Sequence, residues 1–460
     1  MTRHTTNRTT TPGTDLGGMF PRDFTSEYLT IARGDGHWVW DTDGTRYLDA
    51  ISGNQNVNVG HGREEIAAAA AEQIERLEYT SSMLFANEPA QRYTDLIAEF
   101  TPDGFDHAWL VSSGSEANES AVKMARQYHY ERGDMGKYKV ISRRRSYHGN
   151  TGIAMALSGF PARKDKMEPL FPNFPKAPSA APYRCEFCDG DGGRECGERA
   201  ADELENVILA EGPETVAAFI AEPVTGAANA GESPHDGYFE RVREITEEYD
   251  VLFIVDEVMT GFGRTGENFA IEHWEVTPDI ITGAKGMSGG YSPIGGAMPH
   301  DRVVEVFEDL SGGFQHGHTY SFNPTSAAIG RAVLEYVREH DLVANAAAMG
   351  DLLGEELRDL ERFDFVGDVR GKGLMWGVEF VEPGTEKEPL AQTGATFQDA
   401  LFSAGLDNGI ITYPSGAHVE NERGDHTLVT PPLTVDEAGV REIGDRMAAT
   451  LEQVQNELDL

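Results

Sequence analysis

The chain has 460 residues, of which 39% are hydrophobic, and its 77 Asp and Glu against 38 Lys and Arg give a formal net charge of −39. This acidic balance argues against a protein that binds nucleic acid or an anionic membrane surface, because both partners are recognised by clustered cations. The sequence has no apolar run near the roughly 18 residues of a membrane-spanning helix, and its three cysteines are too few for a disulfide framework, so we expect a cytoplasmic protein.

The first predicted elements are short. Residues 1–18 are polar and Thr-rich, and they carry too little apolar surface to order themselves. The β-rich pieces 37–40 and 46–49, joined by the turn signal Asp43-Gly44, predict a hairpin, and the Ala-rich pattern over 65–77 predicts a helix.

From about 105 to 300, apolar runs alternate with helical stretches, which is typical of a parallel sheet covered on both faces. The predicted strands are 108–111, 139–142, 216–221, 251–255 and 279–282. A helix follows over 325–338. The remaining pattern predicts a second, smaller domain, with helices near 341–362 and 434–457 and strands near 373–380 and 426–429.

Small and polar residues follow the first of these strands. Ser113 and Glu116 fit a capping box at the start of a helix, and Gly114 permits close approach of the backbone. Free N–H groups with the hydroxyls of Ser113 and Ser115 would suit a phosphate, although a plain helix cap explains the same pattern.

Two later strands end in charged residues. Asp256 follows the apolar strand 251–255, where a carboxylate needs a cationic or protonated partner if it is buried. Lys285 lies in a loop of small residues after strand 279–282, where desolvation would make its amine a nucleophile toward carbonyls. The alternatives are a surface acid and a solvated lysine.

Tyr147 and His148 follow the predicted strand 139–142, and Glu222 follows the predicted strand 216–221. Together these features match what pyridoxal phosphate (PLP) requires, namely a phosphate cradle, an aromatic plate, a carboxylate for the pyridine nitrogen and a lysine for the aldehyde. In open α/β sheets ligands bind at the carboxyl ends of strands, which is where these residues are predicted to lie.

The sequence closely resembles the class III (subgroup II) aminotransferases, a PLP family of fold type I, over about residues 25–450. The resemblance is most specific at Asp256-Glu257-Val258, at Gly261–Gly266 and at Ala284-Lys285-Gly286. It implies an α/β large domain, with a mostly parallel seven-stranded sheet covered by helices, and a smaller α+β domain. The implied boundaries are a disordered tail at 1–18, an N-terminal segment of the small domain at 19–65, the PLP-binding domain at 66–325 and the C-terminal small domain at 326–460.

The resemblance also implies roles for individual residues. Lys285 would form the Schiff base, Asp256 would contact the pyridine nitrogen, and Glu222 would help to position substrate. The other implied cofactor contacts are Tyr147 and Val258 on the two ring faces, His148 beside the ring, and Gly114, Ser115 and, from the neighbouring subunit, Thr319 at the phosphate.

The implied activity is ping-pong transfer of an amino group from an amine or ω-amino acid to a keto acid, either pyruvate or 2-oxoglutarate, through Lys285. The family works as a homodimer or a dimer of dimers with shared sites. A lyase, decarboxylase or aminomutase on the same scaffold is the nearest alternative, because fold does not determine chemistry, and a non-catalytic PLP-binding protein is a more remote one. The acidity and the scarcity of lysine are typical of a halophilic proteome.

Substrate contacts are predicted for three residues. Gln55 and Phe85 would line the donor pocket, and Arg423 would either bind a substrate carboxylate or remain a solvated loop residue. No metal is expected, because Cys185, Cys188 and Cys196 offer one C-x2-C pair and a third thiol without an evident fourth ligand.

Overall fold

A computed structural model describes residues 16–24, 26, 28–187, 192–391, 395–419 and 423–460. Most of the predicted tail, 1–15, lies outside the described residues. In the described part of the chain, no helix is long and apolar enough to cross a membrane.

The described part of the first hundred residues contains three strands and three helices. In chain order they are β1 (Ile31–Asp35), β2 (Trp38–Asp41), β3 (Arg46–Asp49), the short α1 (Ser52–Gln55), α2 (Glu64–Arg76) and α3 (Glu88–Phe100). The predicted hairpin is β2–β3, and the predicted Ala-rich helix is α2. Helix α3 was not predicted from the sequence, and it is capped by Asn87, whose side chain accepts from the Ala90 N–H.

The middle of the chain supplies the central sheet and its cover. Its elements are β4 (Trp109–Val111), α4 (Gly114–Glu131), β5 (Lys139–Arg143), α5 (Gly152–Leu157), α6 (Pro161–Lys164), β6 (Lys176–Ala177), α7 (Arg194–Glu211), β7 (Val216–Ala221), α8 (Tyr238–Glu248), β8 (Leu252–Asp256), β9 (Ile280–Gly283) and β10 (Gly295–Pro299).

The C-terminal part is a mixture of helices and short strands. Its elements are α9 (Asp301–Val306), α10 (Pro324–Glu339), α11 (Leu342–Arg358), β11 (Val366–Lys372), β12 (Met375–Phe380), α12 (Ala395–Asp407), β13 (Ile410–Ile411), β14 (Tyr413–Val419), β15 (Arg423–Val429) and α13 (Glu437–Leu458).

The central sheet has seven strands in the order β4-β10-β9-β8-β7-β5-β6. Strand β10 runs antiparallel to both neighbours, and the other pairings are parallel. This mostly parallel sheet confirms the predicted fold class, and the five strands predicted from apolar runs are β4, β5, β7, β8 and β9. Both faces are buried because neighbouring residues such as Phe253 and Ile254 pack into different apolar clusters.

Two four-stranded sheets lie outside the central one. The first has the order β1-β2-β3-β13 and the second the order β11-β12-β15-β14. In the first, β3 pairs in parallel with β13, which joins the N-terminal segment to the C-terminal region. The division into domains stays a prediction, and this pairing is the contact that supports placing 19–65 with the small domain.

Candidate active site

The parallel strands bring most of the singled-out residues to one edge of the sheet. Strands β4, β5, β7, β8 and β9 all end at this edge, since each runs parallel to the others. A cavity of about 780 Å³ opens there. The predicted residues among those lining it are Gln55, Gly114, Ser115, Tyr147, His148, Glu222, Asp256, Val258 and Lys285.

Asp256 is the last residue of β8 and is 4% exposed. Its Oδ2 accepts from Asn118 Nδ2 at 2.8 Å and lies 2.7 Å from His148 Nδ1, while Oδ1 accepts from the Val258 N–H at 3.1 Å. The carboxylate is therefore fixed in orientation by three groups from three different segments. A buried acid held in this way can face a protonated ring nitrogen without rearranging.

Lys285 follows β9 in a single 3-10 turn and has a positive φ of 41°. Its Nζ makes one hydrogen bond among the described residues, to Gln55 Oε1 at 3.3 Å. Burial lowers the pKa of this amine to about 8, although the nearby carboxylates of Asp256 and Glu222 oppose that shift. The lowered pKa provides neutral, nucleophilic amine near neutral pH.

Glu222 lies just beyond the end of β7 and is 6% exposed. Its two oxygens accept from the N–H groups of Tyr147 and Gly226, each at 3.1 Å. Burial raises the pKa of this carboxyl above its ordinary value, with His148 acting in the opposite direction. Glu222 thereby fixes the loop that carries the Tyr147 ring at the cavity wall.

The start of α4 fits a phosphate. Ser113 caps the helix, because its side chain accepts from the Glu116 N–H at 3.2 Å. The Glu116 side chain in turn accepts from the N–H of Ser112 and not from that of Ser113, so the capping box is shifted by one residue. A Cβ on Gly114 would lie 2.7 Å from Val258 Cγ1. Only glycine fits there, and the first N–H groups of a helix have no intrahelical acceptor, so this turn can hold an anion.

Three predicted residues do not line the cavity. Phe85 is 61% exposed and lines a separate surface cleft with Phe322. Arg423, at the start of β15, donates to Glu388 at 2.8 Å, which ties its guanidinium to a different loop. Thr319 is exposed, with its carbonyl accepting from Tyr79 Oη, and its proposed role requires a neighbouring subunit.

One polar residue that organises the site was not predicted from the sequence. Asn118 donates to both Asp256 and the His148 carbonyl, and its Oδ1 accepts from Thr282 Oγ1 at 2.7 Å. Asn118 stands one helical turn after Gly114, on the face that carries the cradle, and that spacing is the signal that could have identified it.

A second residue that was not predicted is a cation. Arg163 lines the cavity, with its guanidinium carbon 5.4 Å from the centre of the Tyr147 ring and Nη2 donating to Tyr413 Oη at 3.3 Å. The same carbon lies 5.2 Å from the centre of the Phe160 ring, and Arg163 forms no ion pair among the described residues. Its contacts with Tyr147 and Tyr413 join separate segments of the chain, so no local sequence pattern identifies it.

The cysteines lie outside this cavity. Cys185 and Cys196 have their Sγ atoms 3.1 Å apart, with Cys196 buried in α7, and Cys188 falls outside the described residues.

Comparison with known proteins gives a consistent result. The family model "Aminotransferase class-III" matches residues 19–451. The chain is 35% identical to the putrescine–pyruvate aminotransferase of Pseudomonas aeruginosa, covering 90% of this chain and 88% of that protein.

Solved structures of transaminases are also similar to this chain over most of its length. An (S)-enantioselective omega-transaminase from Thermomicrobium roseum is 39% identical, covers 93% of each chain and superposes with a TM-score of 0.87. The omega-transaminase of Pseudomonas jessenii in complex with PMP is 33% identical, covers 94% of each chain and has a TM-score of 0.87.

Proposed function

The chain belongs to the class-III aminotransferase family, and on that premise we propose that it transfers an amino group from a primary amine or ω-amino acid to a keto acid such as pyruvate or 2-oxoglutarate. The observation that carries the proposal is the convergence of Lys285, Asp256 and the α4 cradle on one cavity. The family is PLP-dependent, and these groups match the aldehyde, ring nitrogen and phosphate of that cofactor.

Each part of the cofactor would be bound by a different set of residues. Lys285 would hold the aldehyde carbon, Gly114 and Ser115 the phosphate, and Asp256 the ring nitrogen, with Tyr147 and Val258 on the ring faces and His148 behind Asp256. When bound, PLP supplies an electron sink for the charge that develops as the substrate loses a proton.

The chain's own residues would then move the proton. The Lys285 amine, tethered at the cavity wall, would act as the general base that takes up and returns a proton at the substrate carbon. Asp256, fixed in orientation by Asn118 and His148, would present its carboxylate to the ring nitrogen without rearranging. Glu222 holds the Tyr147 loop against the cavity.

We assign substrate carboxylates to Arg163, because it is a cavity cation with no acidic partner among the described residues. Gln55, on the same wall as Lys285, adds an amide that can bind a polar donor. This arrangement favours substrates that carry a carboxylate, which include every keto acid acceptor.

We also propose that the enzyme is a homodimer or a dimer of dimers. Residues 83–85 present apolar side chains that are 61–90% exposed in the single chain, and Tyr320, beside Thr319, is 61% exposed. A second copy would cover these side chains and could bring its Thr319 to the phosphate.

A donor panel in high salt tests the activity. Purified protein with PLP is mixed with β-alanine, GABA, ornithine, taurine, alanine or 1-phenylethylamine, and the absorbance of the bound cofactor is followed. Conversion to the pyridoxamine form by one donor, reversed by pyruvate or 2-oxoglutarate, is the expected result. Turnover that needs no keto acid would instead establish a lyase or a mutase.

Substrate variants separate the two arginines. Arg163→Leu should raise the KM for β-alanine and pyruvate and leave the KM for 1-phenylethylamine, which has no carboxylate, unchanged. Arg423→Leu is the matched comparison, because its guanidinium is bound to Glu388 away from the cavity. If Arg423→Leu gives the larger rise, Arg423 is the carboxylate group and our assignment to Arg163 is wrong.

A further inference from the structure

A second polar cluster lies at the opposite edge of the central sheet, where the parallel strands begin. It consists of His129 near the end of α4, Asp134 in the turn that follows, and Asp250 in the turn before β8. One nitrogen of His129 and one oxygen of each carboxylate lie within 4.8 Å of one another. We propose that these three side chains bind a divalent transition-metal ion such as Zn²⁺, Co²⁺ or Mn²⁺.

The histidine is already set up as a metal ligand. It is 0% exposed, and its Nε2 lies 2.9 Å from the Ala217 carbonyl, which can only accept, so Nε2 carries the proton. Nδ1 therefore presents its lone pair to the two carboxylates. A ligating histidine that donates its other N–H to a backbone carbonyl is the usual arrangement in metal sites.

The Nδ1 atom of His129 has no structural role among the described residues. Nδ1 is buried, and no described residue hydrogen-bonds to it. It is 4.0 Å from Asp250 Oδ2, too far for a hydrogen bond.

The two carboxylates supply oxygens that remain available. Asp250 uses Oδ1 to accept from Arg132 at 2.9 Å, which leaves Oδ2, the atom facing His129. Among the described residues, the Asp134 carboxylate interacts with Arg132 and Lys137 by charge alone, without a hydrogen bond. Both acids are exposed, so they can move toward an ion without disturbing the core.

Two cations face the same region, and each has other acceptors. Arg132 donates to Tyr128 Oη as well as to Asp250, and Lys137 donates to the carbonyls of Val216, Tyr249 and Asp250. They reduce the local negative charge but do not occupy Nδ1 or Oδ2.

The ligand set determines the class of ion. One imidazole nitrogen with two carboxylate oxygens suits borderline ions, since Mg²⁺ and Ca²⁺ prefer oxygen alone. Ligands bound at about 2.0–2.2 Å lie roughly 3–4 Å apart, so closing the cluster takes a shift of about 1 Å by the exposed carboxylates. The ion would tie the end of α4, the helix that begins at the phosphate cradle, to the turn before β8.

The test is a Co²⁺ titration of the full-length protein, stripped with a chelator and kept in high salt to suppress weak binding to the acidic surface. Visible absorption reports the coordination of Co²⁺, and calorimetry reports stoichiometry. One ion per chain is expected, with a rise in Tm on binding. Because neither readout uses the cofactor, the result is independent of the proposed transaminase activity.

Asp134→Asn is the decisive variant, since an exposed turn residue can change without unfolding the chain. It should weaken Co²⁺ binding at least about 10–100-fold, the cost of losing even an outer partner of a metal ligand. Glu131→Gln, which removes the same charge nearby, should bind like the wild type. His129→Gln should abolish the absorption bands.

Three outcomes would overturn the proposal. These are no binding by the wild type, several weak equivalents that Asp134→Asn leaves unchanged, or equal losses in Asp134→Asn and Glu131→Gln. The last two would mean that the acidic surface, and not this cluster, attracts the ion.

Discussion

Two lysines at opposite edges of the central sheet show how this fold separates a reactive group from a structural one. At the amino edge, Lys137 is 6% exposed and donates to three backbone carbonyls at 2.8–3.1 Å. At the carboxyl edge, Lys285 makes a single hydrogen bond of 3.3 Å among the described residues. Each ammonium has three protons to donate, so only Lys137 is fully satisfied.

Burial alone does not distinguish them. It lowers the pKa of Lys137, that of Lys285 to about 8, and that of a third lysine, Lys176, to about 7. Lys176 donates to the carbonyls of Ala156 and Phe174. What sets Lys285 apart is an amine with few acceptors that faces a cavity beside Asp256 and Glu222.

Lys285→Ala should have the largest effect, because it removes the lysine that we assign to the reaction. Transamination should fall by more than about 10⁴-fold, the upper end for a general acid–base group, because nucleophile and proton shuttle are lost together. Tm should stay close to that of the wild type, since only one long hydrogen bond disappears. Unchanged turnover in a donor-to-keto-acid assay would contradict the assignment of Lys285.

The second test removes a charge at the same edge. Asp256→Asn keeps the shape of the side chain but not its negative charge, so kcat should fall by about 10²–10³-fold, as for other preorganised electrostatic groups. Steady-state kinetics with a saturating donor measures this, and thermal melting checks the fold. A loss of only a few fold would show that the ring nitrogen is stabilised by another group.

Lys137→Met is the converse experiment at the amino edge. It leaves three carbonyls without their donor and should cost about 1–3 kcal/mol of unfolding free energy, measured by denaturant titration. Turnover per folded chain should remain that of the wild type. A variant of normal stability but low turnover would contradict the structural role of Lys137.

The smallest expected effect is a pH dependence. The pKa of the Lys285 amine is about 8. Below this pH the neutral fraction of the amine falls about tenfold per pH unit, and well above it nearly all of the amine is neutral. The rate at which cofactor-free enzyme captures PLP should therefore rise with pH and level off above pH 8.

Glu222→Gln tests whether the pKa of Lys285 depends on the neighbouring carboxylate. The Glu222 carboxylate raises the pKa of Lys285, so its removal should move the midpoint of the capture rate to lower pH. A midpoint near pH 10 in the wild type, or a shift to higher pH in the variant, would contradict the electrostatics described for Lys285.

Much of the site could be predicted from the sequence because a parallel sheet converts positions in the chain into positions in space. Residues that directly follow apolar strands must meet at one edge, so Tyr147, Glu222, Asp256 and Lys285 were predicted together. Family motifs then supplied their roles. Local patterns also located β2–β3, α2 and the five main strands to within a residue or two.

What the sequence could not supply was the partner of each polar group. Arg423 and Arg163 look alike in the chain, yet one is bound to Glu388 and the other stands in the cavity. Phe85 was predicted in the donor pocket, whereas in the single chain it lies outside the cavity, in a segment that we propose a second copy covers.

The sequence by itself determined the fold class, the family and the edge of the sheet where the chemistry lies, since these follow from periodicity and from motifs local to strand ends. Only the tertiary structure decided which buried groups are satisfied. Lys137 donates to its three carbonyls, and His129 Nε2 to the Ala217 carbonyl, through segments far apart in the chain. Hydrogen-bond satisfaction and ligand distance depend on such long-range contacts, which no local pattern encodes.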